Sequence, residues 1–216
     1  PLKEIIGFMQ KMSFKEKAAN FWYYHKYHTL AGILGATIVI TGISQCAAKP
    51  SYDFDMVYVS SNYCPTALLE QKTAEVLGDL NGDGEAHVFC DSVIIPEEPK
   101  SDADFDMLQK LTLTFVDGES RIYIMDSDYF KAEQFAEMFE DLRLILPQEK
   151  LGGAIEYGGV PIAIPTSSCP FLKNAEISGE NLYVGILAKT ETQQNSVKNL
   201  DALYDASVNL IKTMTE

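Results

Sequence analysis

The spacing of apolar and polar positions changes character several times along the chain. Residues 28–48, HTLAGILGATIVITGISQCAA, contain no Asp, Glu, Lys or Arg, and the uncharged run between Lys26 and Lys49 is 22 residues long. As a helix this run covers roughly 33 Å, enough for a bilayer core of about 30 Å. Phe21, Trp22, Tyr23, Tyr24 and Tyr27 lie just ahead of it, where an interfacial aromatic belt would sit. The pattern predicts a transmembrane helix over 28–48, a juxtamembrane segment over 1–27 and a domain over 49–216. The long stretch ahead of the run favours an uncleaved anchor over a signal peptide. Gln45 stands where a bacterial lipobox takes a small residue, which argues against lipidation of Cys46.

Beyond residue 53, short apolar runs alternate with longer runs of helical period. Strands are predicted over 54–60, 86–90, 121–125, 160–164 and 182–188. Helices are predicted over 65–78, 101–117, 127–146 and 196–214. Ser101 fits an N-cap, and Phe105, Leu108, Leu111 and Phe115 form the inward stripe of the helix that it opens. Phe135, Met138, Phe139 and Leu142 do the same in the next helix. Alternating strands and helices are the mark of a mainly parallel sheet covered on both faces. The expected fold is a single three-layer α/β domain with strand order 2-1-3 plus C-terminal strands. Strand 54–60 is expected at its centre, strand 182–188 beside the third, and the proline-bearing 160–164 at an edge.

Charge sharpens the division. The chain has 216 residues and a formal net charge of −14. Residues 1–48 hold five Lys against Glu4 and Glu16, a balance of +3, whereas the rest holds 12 basic and 29 acidic residues, a balance of −17. Lysines ahead of the apolar run place the N-terminus in the cytoplasm and the domain outside, in a single-pass cell-membrane protein. So acidic a domain offers no basic footprint for nucleic acid. The expected partners are the lipid bilayer and either an envelope protein or a small solute.

Three motifs, in order, carry a resemblance. Asp117-Gly118-Glu119-Ser120-Arg121-Ile122-Tyr123-Ile124-Met125-Asp126 is followed by Tyr129-Phe130; Gly158-Gly159-Val160-Pro161-Ile162-Ala163-Ile164-Pro165 and Glu180-Asn181-Leu182-Tyr183-Val184-Gly185-Ile186 come later. Together they resemble one lobe of the extracellular solute-binding proteins of ABC importers, in the setting of a short membrane-anchored protein of Gram-positive bacteria. Arg121 departs from the pattern, which usually has an acid there. The resemblance implies an α/β lobe whose last strand returns antiparallel beside the third. Residues 49–216 have room for one such lobe, whereas the family closes two lobes on its ligand.

Candidate chemistry is sparse. In open α/β sheets ligands sit beyond the carboxyl ends of the strands, and Ser61, Asn62, Tyr63, Asp126 and Asp128 are the polar and aromatic cluster expected there. The competing reading is ordinary helix capping. In Asp79-Leu80-Asn81-Gly82-Asp83-Gly84-Glu85, the residues Asp79, Asn81, Asp83 and Glu85 suggest a weak calcium loop. An EF-hand needs a bidentate Glu at the twelfth position, which here is Cys90. The other reading is a polar turn. Cys64-Pro65 and Cys169-Pro170 invite thiol chemistry, but no C-x-x-C accompanies them and His25, His28 and His87 are the only histidines. The chain is therefore read as a binding or interaction module rather than an enzyme, with a reduced solute receptor serving an importer, or a thiol-dependent enzyme, as alternatives.

Overall fold

The structure, a computed structural model, describes residues 13–47, 52–61, 63–96, 98–177 and 179–216, with the side chains of 17, 43–47 and 192 outside that set. The chain divides into two units, Pro1–Pro50 and Ser51–Glu216.

The first unit holds α1 (Phe14–Ala47), a helix of 34 residues. Its start is braced by Ser13 N donating to Glu16 Oε2 at 2.8 Å. Thr37 Oγ1 donates to Ile33 O at 2.9 Å and Thr41 Oγ1 to Thr37 O at 2.8 Å, so both hydroxyls are satisfied by the helix itself. Leu30, Ile33, Leu34, Ile38, Val39 and Ile40 are exposed. Among the described residues no helix is long and apolar enough to cross a membrane. The far end of the uncharged run, the side chains of 43–47 including Cys46 and the whole of residue 48, lies outside the described set.

The second unit is a single α/β domain. Its elements are β1 (Phe54–Ser60), α2 (Ala67–Leu77), β2 (Val88–Ile94), α3 (Asp102–Asp117), β3 (Ile122–Asp126), α4 (Ser127–Lys131) and α5 (Glu133–Ala136). They continue with β4 (Ile155–Tyr157), β5 (Val160–Pro165), α6 (Pro170–Asn174), β6 (Leu182–Ile186), α7 (Glu191–Ser196) and α8 (Leu200–Met214). The strands form one six-stranded sheet in the order β2-β1-β3-β6-β5-β4. β1 pairs parallel with β2 (Phe54↔Val88) and with β3 (Met56↔Ile122). β6 returns antiparallel to β3 (Ile124↔Val184), and β5 and β4 continue antiparallel. The sheet is thus mixed, with a parallel core of three strands at one side, rather than mainly parallel throughout.

The period-2 pattern sorts the strand side chains into two cores. Phe54, Met56, Ile122, Ile124, Val184 and Ile186 pack on one face with Leu69 of α2, Leu172 of α6 and Leu210 and Met214 of α8. Val57, Val59, Tyr123 and Met125 pack on the other with Leu111 and Phe115 of α3, Phe130 of α4 and Phe135 of α5. Helices on both faces make three layers. Phe115 stacks on Tyr123 with centroids 4.3 Å apart, inside this second core.

Four expectations need correction. The helix expected over 127–146 is broken at Ala132, whose ψ of 118° is extended. Phe130, before the break, and Phe135 and Phe139, after it, pack in the same core; the chain passes to the other core only between Phe139 and Leu142, where α5 has already ended. The strand at 160–164 is not at the edge. Gly158 (φ 58°) and Gly159 (φ 79°) form a two-residue turn, and the hairpin it makes places β4 outside β5. Pro161 is opposite Glu156, next to a register shift between Ile155 and Glu156, and β5 meets β6 only at Ile164 and Pro165. The closing helix expected over 196–214 begins only at Leu200, after Asn199 with φ 54°, and a separate short helix, α7, precedes it. Finally, Phe105 does not point inward: it is 56% exposed.

Candidate functional site

A cleft of about 560 Å³ opens beyond the carboxyl ends of β1 and β3. Ser61, the residue after β1, Asp126, the last of β3, and Asp128, in the first turn of α4, all line it. Three of the five residues expected from the strand ends are therefore brought together. Tyr63 is not among them: it is 74% exposed and does not line the cleft. Asn62 lies outside the described residues.

The remaining wall was not legible beforehand. Tyr129 follows Asp128 along α4, Glu98 comes from the loop after β2, and Asn181 precedes β6. Asn181 arrives here because β6 runs antiparallel, which puts its amino end beside the carboxyl end of β3. Ser127 N donates to Asn181 O at 2.9 Å and locks that junction. Ile95, Leu108 and Phe135 give the cleft an apolar floor. A signal for Tyr129 existed in the aromatic pair Tyr129-Phe130, of which Phe130 is buried in the core and Tyr129 packs half-buried against it.

Although Glu98 is paired with Lys100 Nζ at 2.7 Å, the charged side chains that line the cleft are all acidic. Asp126, Asp128 and Glu98 line it, and among the described lining residues there is no Lys or Arg. Lys131 is close behind: its Nζ donates to Ser127 Oγ at 3.1 Å, and Ser127 Oγ donates to Asp128 Oδ1 at 3.2 Å. Burial pushes the Tyr129 hydroxyl up from its ordinary pKa, and the carboxylates of Asp126 and Asp128 add to the shift. Tyr58, further down β1, is pushed up to about 12, chiefly by burial. Both phenols stay neutral and can donate. As for capping, Asp126 at the N-cap of α4 makes no side-chain cap hydrogen bond.

The Asp79–Glu85 loop is organised by carboxylates acting on backbone. Asp79 Oδ1 accepts from Gly82 N at 2.5 Å and Asp79 Oδ2 from Gly84 N at 2.8 Å. Asn81 Oδ1 accepts from Asp83 N at 2.9 Å and Asp83 Oδ1 from Glu85 N at 3.0 Å. Glu85 Oε2 is 2.9 Å from His87 Nε2. Asp53 fastens the loop to β1 by accepting from Leu80 N, Asn81 N and His87 N at 2.9, 2.8 and 2.7 Å. These bonds hold the Asp79 carboxyl below its usual range, the Gly84 N–H first and the Gly82 N–H second. Such a loop is a self-sufficient turn. Cys90, at the would-be twelfth position, is buried in β2. Among the described residues no group of three or more His, Cys, Asp or Glu side chains is arranged to hold a metal ion.

Two of the thiols, Cys90 and Cys169, are poorly placed for nucleophilic chemistry. Cys64, Cys90 and Cys169 are free. Burial pushes the Cys90 thiol far up and the Cys169 thiol to about 11, opposite to the depressed value of an activated cysteine.

A second cleft, of about 470 Å³, lies at the amino end of β1, lined by Asp55, Glu119, Lys198 and Asn199 among others. Asp55 is raised to about 6 there, first by burial and then by Glu119 and Asp91. In comparisons with protein-family models, with curated proteins and with solved structures, nothing matches this chain.

Proposed function

We propose that the chain is a binding module held at the cell membrane by its N-terminal helix. Its acidic domain is extracytoplasmic, and the cleft at the carboxyl ends of β1 and β3 receives a small solute. The observation that carries the reading is the meeting of Ser61, Asp126 and Asp128 around one cleft with Tyr129 and Asn181. Its polar groups converge over an apolar floor, as in small-molecule sites. Three carboxylates line the cleft, Glu98 paired with Lys100 and Asp128 linked to Lys131 through Ser127. With no Lys or Arg in the described lining itself, the acidic wall disfavours anions and favours a solute carrying an ammonium group. The membrane reading is supported by the 34-residue helix, its self-satisfied threonines and the uncharged run. The resemblance to a solute-receptor lobe makes an importer one partner for such a module. The antiparallel return of β6 beside β3 is the feature that favours it.

A thermal-shift series on the full chain tests the site, with lysine, putrescine and choline as probes against glucose and inorganic phosphate. Amines are expected to raise the melting temperature, and Asp126→Asn with Asp128→Asn to abolish the rise. Equal shifts from phosphate, or an amine shift untouched by the double substitution, reject the cleft as the site.

A further inference from the structure

Helix α3 is amphipathic twice over. Its inner stripe of Leu108, Leu111 and Phe115 packs on the sheet. Its outer side, however, shows Phe105 at 56%, Leu113 at 59% and Val116 at 59% exposure. At 3.6 residues per turn these three lie within roughly 80° of one another, so they form a stripe and not a scatter. The stripe spans three turns of helix, about 16 Å.

The charges around the stripe have one sign. Asp102, Asp106 and Asp117 fall on the same outer arc, all exposed. Lys110 is the sole basic residue of α3, and its Nζ is taken up by Asp91 Oδ2 at 2.7 Å. A second copy of this face would set aspartates against aspartates, which argues against self-pairing. An anionic lipid surface is disfavoured for the same reason. The complementary object is a helix with an apolar stripe about three turns long, flanked by Lys or Arg.

We propose that the outer face of α3 is a docking surface for a basic amphipathic helix of a partner protein. Phe105, Leu113 and Val116 are its apolar contacts, and Asp102, Asp106 and Asp117 its charge selectors. Three side chains on one helix bury well under about 1,000 Å², the range of weak, transient complexes. The surface therefore suits reversible contact rather than permanent assembly. It is separate from the small-solute cleft and does not depend on it.

The test uses the full chain in zwitterionic nanodiscs, with empty nanodiscs as the blank. The probe is a fluorescent 14-residue helical peptide of Leu and Lys, and the control peptide carries Glu in place of Lys. The Leu/Lys peptide is expected to bind with micromolar affinity. Leu113→Ser with Val116→Ser should weaken binding at least tenfold, and Asp102→Asn with Asp106→Asn comparably. Circular dichroism checks that the variants stay folded, which their exposure favours. Glu149→Gln with Glu180→Gln, remote in sequence from α3, serves as the charge control. Unchanged affinity in the α3 variants, equal loss in the charge control, or equal binding of the Glu peptide would overturn the proposal. Hydrogen exchange should show protection over 102–117. Protection confined to 126–135 would put the peptide in the cleft and also overturn it. Amine-induced thermal shifts that persist in the α3 variants keep the two sites distinct.

Discussion

Arg121 Nη1 donates to Gln193 Oε1 at 3.0 Å across 72 residues of chain, with both side chains buried. The same guanidinium donates to Gly118 O and to Leu187 O, so one cation collects oxygens from the end of α3, the end of β6 and helix α7. Gln193 is also half of a capping box, in which Thr190 Oγ1 accepts from Gln193 N at 3.3 Å. The residue that departs from the solute-receptor pattern is thus the one that fastens α7 to the sheet.

Removing the acceptor should expose how much rests on that bond. Gln193→Ala leaves a buried guanidinium N–H without its oxygen, which costs about 2 kcal/mol. Gly118→Ala is expected to destabilise as well. Its φ is 69°, and an added Cβ would sit 2.5 Å from Gln193 Cδ. Because the clash is with Gln193 itself, Gly118→Ala should cost less in the Gln193→Ala background. Urea unfolding of the four proteins checks this; strictly additive losses would refute the shared contact.

Asp55 predicts a pH dependence. Its folded pKa, about 6, lies above the ordinary 3.8 because of burial and then Glu119 and Asp91, and its Oδ1 is buried without a hydrogen-bond partner. A raised folded pKa means that its contribution to stability is fully present below about 3.8 and is lost as pH rises through about 6. Asp55→Asn should therefore stabilise the chain at pH 7.5 by about 1 kcal/mol, a figure discounted for partial solvent exposure. The gain should vanish by pH 4. Thermal melts of both proteins across that range decide it, and a constant difference at all pH values would contradict the assignment.

For the Asp79–Glu85 loop, calcium affinity no tighter than about 0.1 mM is expected, the weak end for extracellular modules. Both oxygens of Asp79 already serve backbone N–H groups, and Cys90 replaces the bidentate carboxylate. Calorimetric titration that found micromolar binding abolished by Asp83→Ala would reverse this reading.

Topology follows from the lysines ahead of the uncharged run. Protease added to intact protoplasts should digest the Ser51–Glu216 unit. Full protection of that unit would sink the extracytoplasmic placement.

The sequence by itself determined the strands with near-continuous apolar runs and their central order. β1 and β3 could be read directly, because burial on both faces of a sheet leaves runs such as Ile122–Met125 with no polar member, and right-handed crossovers then leave little choice of neighbours. Ser61, Asp126 and Asp128 followed from that order, since strand ends are local in sequence. The tertiary structure alone decided what depends on facing. The spacing of Leu108, Leu111 and Phe115 already turns them inward, but only the sheet beneath α3 determines that Phe105, equally apolar, stays out. The break at Ala132 has no local breaker residue; it lets Phe130 and Phe135, on either side of it, both pack in one core before the chain crosses to the other at Leu142. Asn181 reaches the cleft, and Gln193 reaches Arg121, across distances in sequence over which no periodicity carries information. Local pattern specifies which residues avoid water, but pairing between distant segments specifies what they meet when they do.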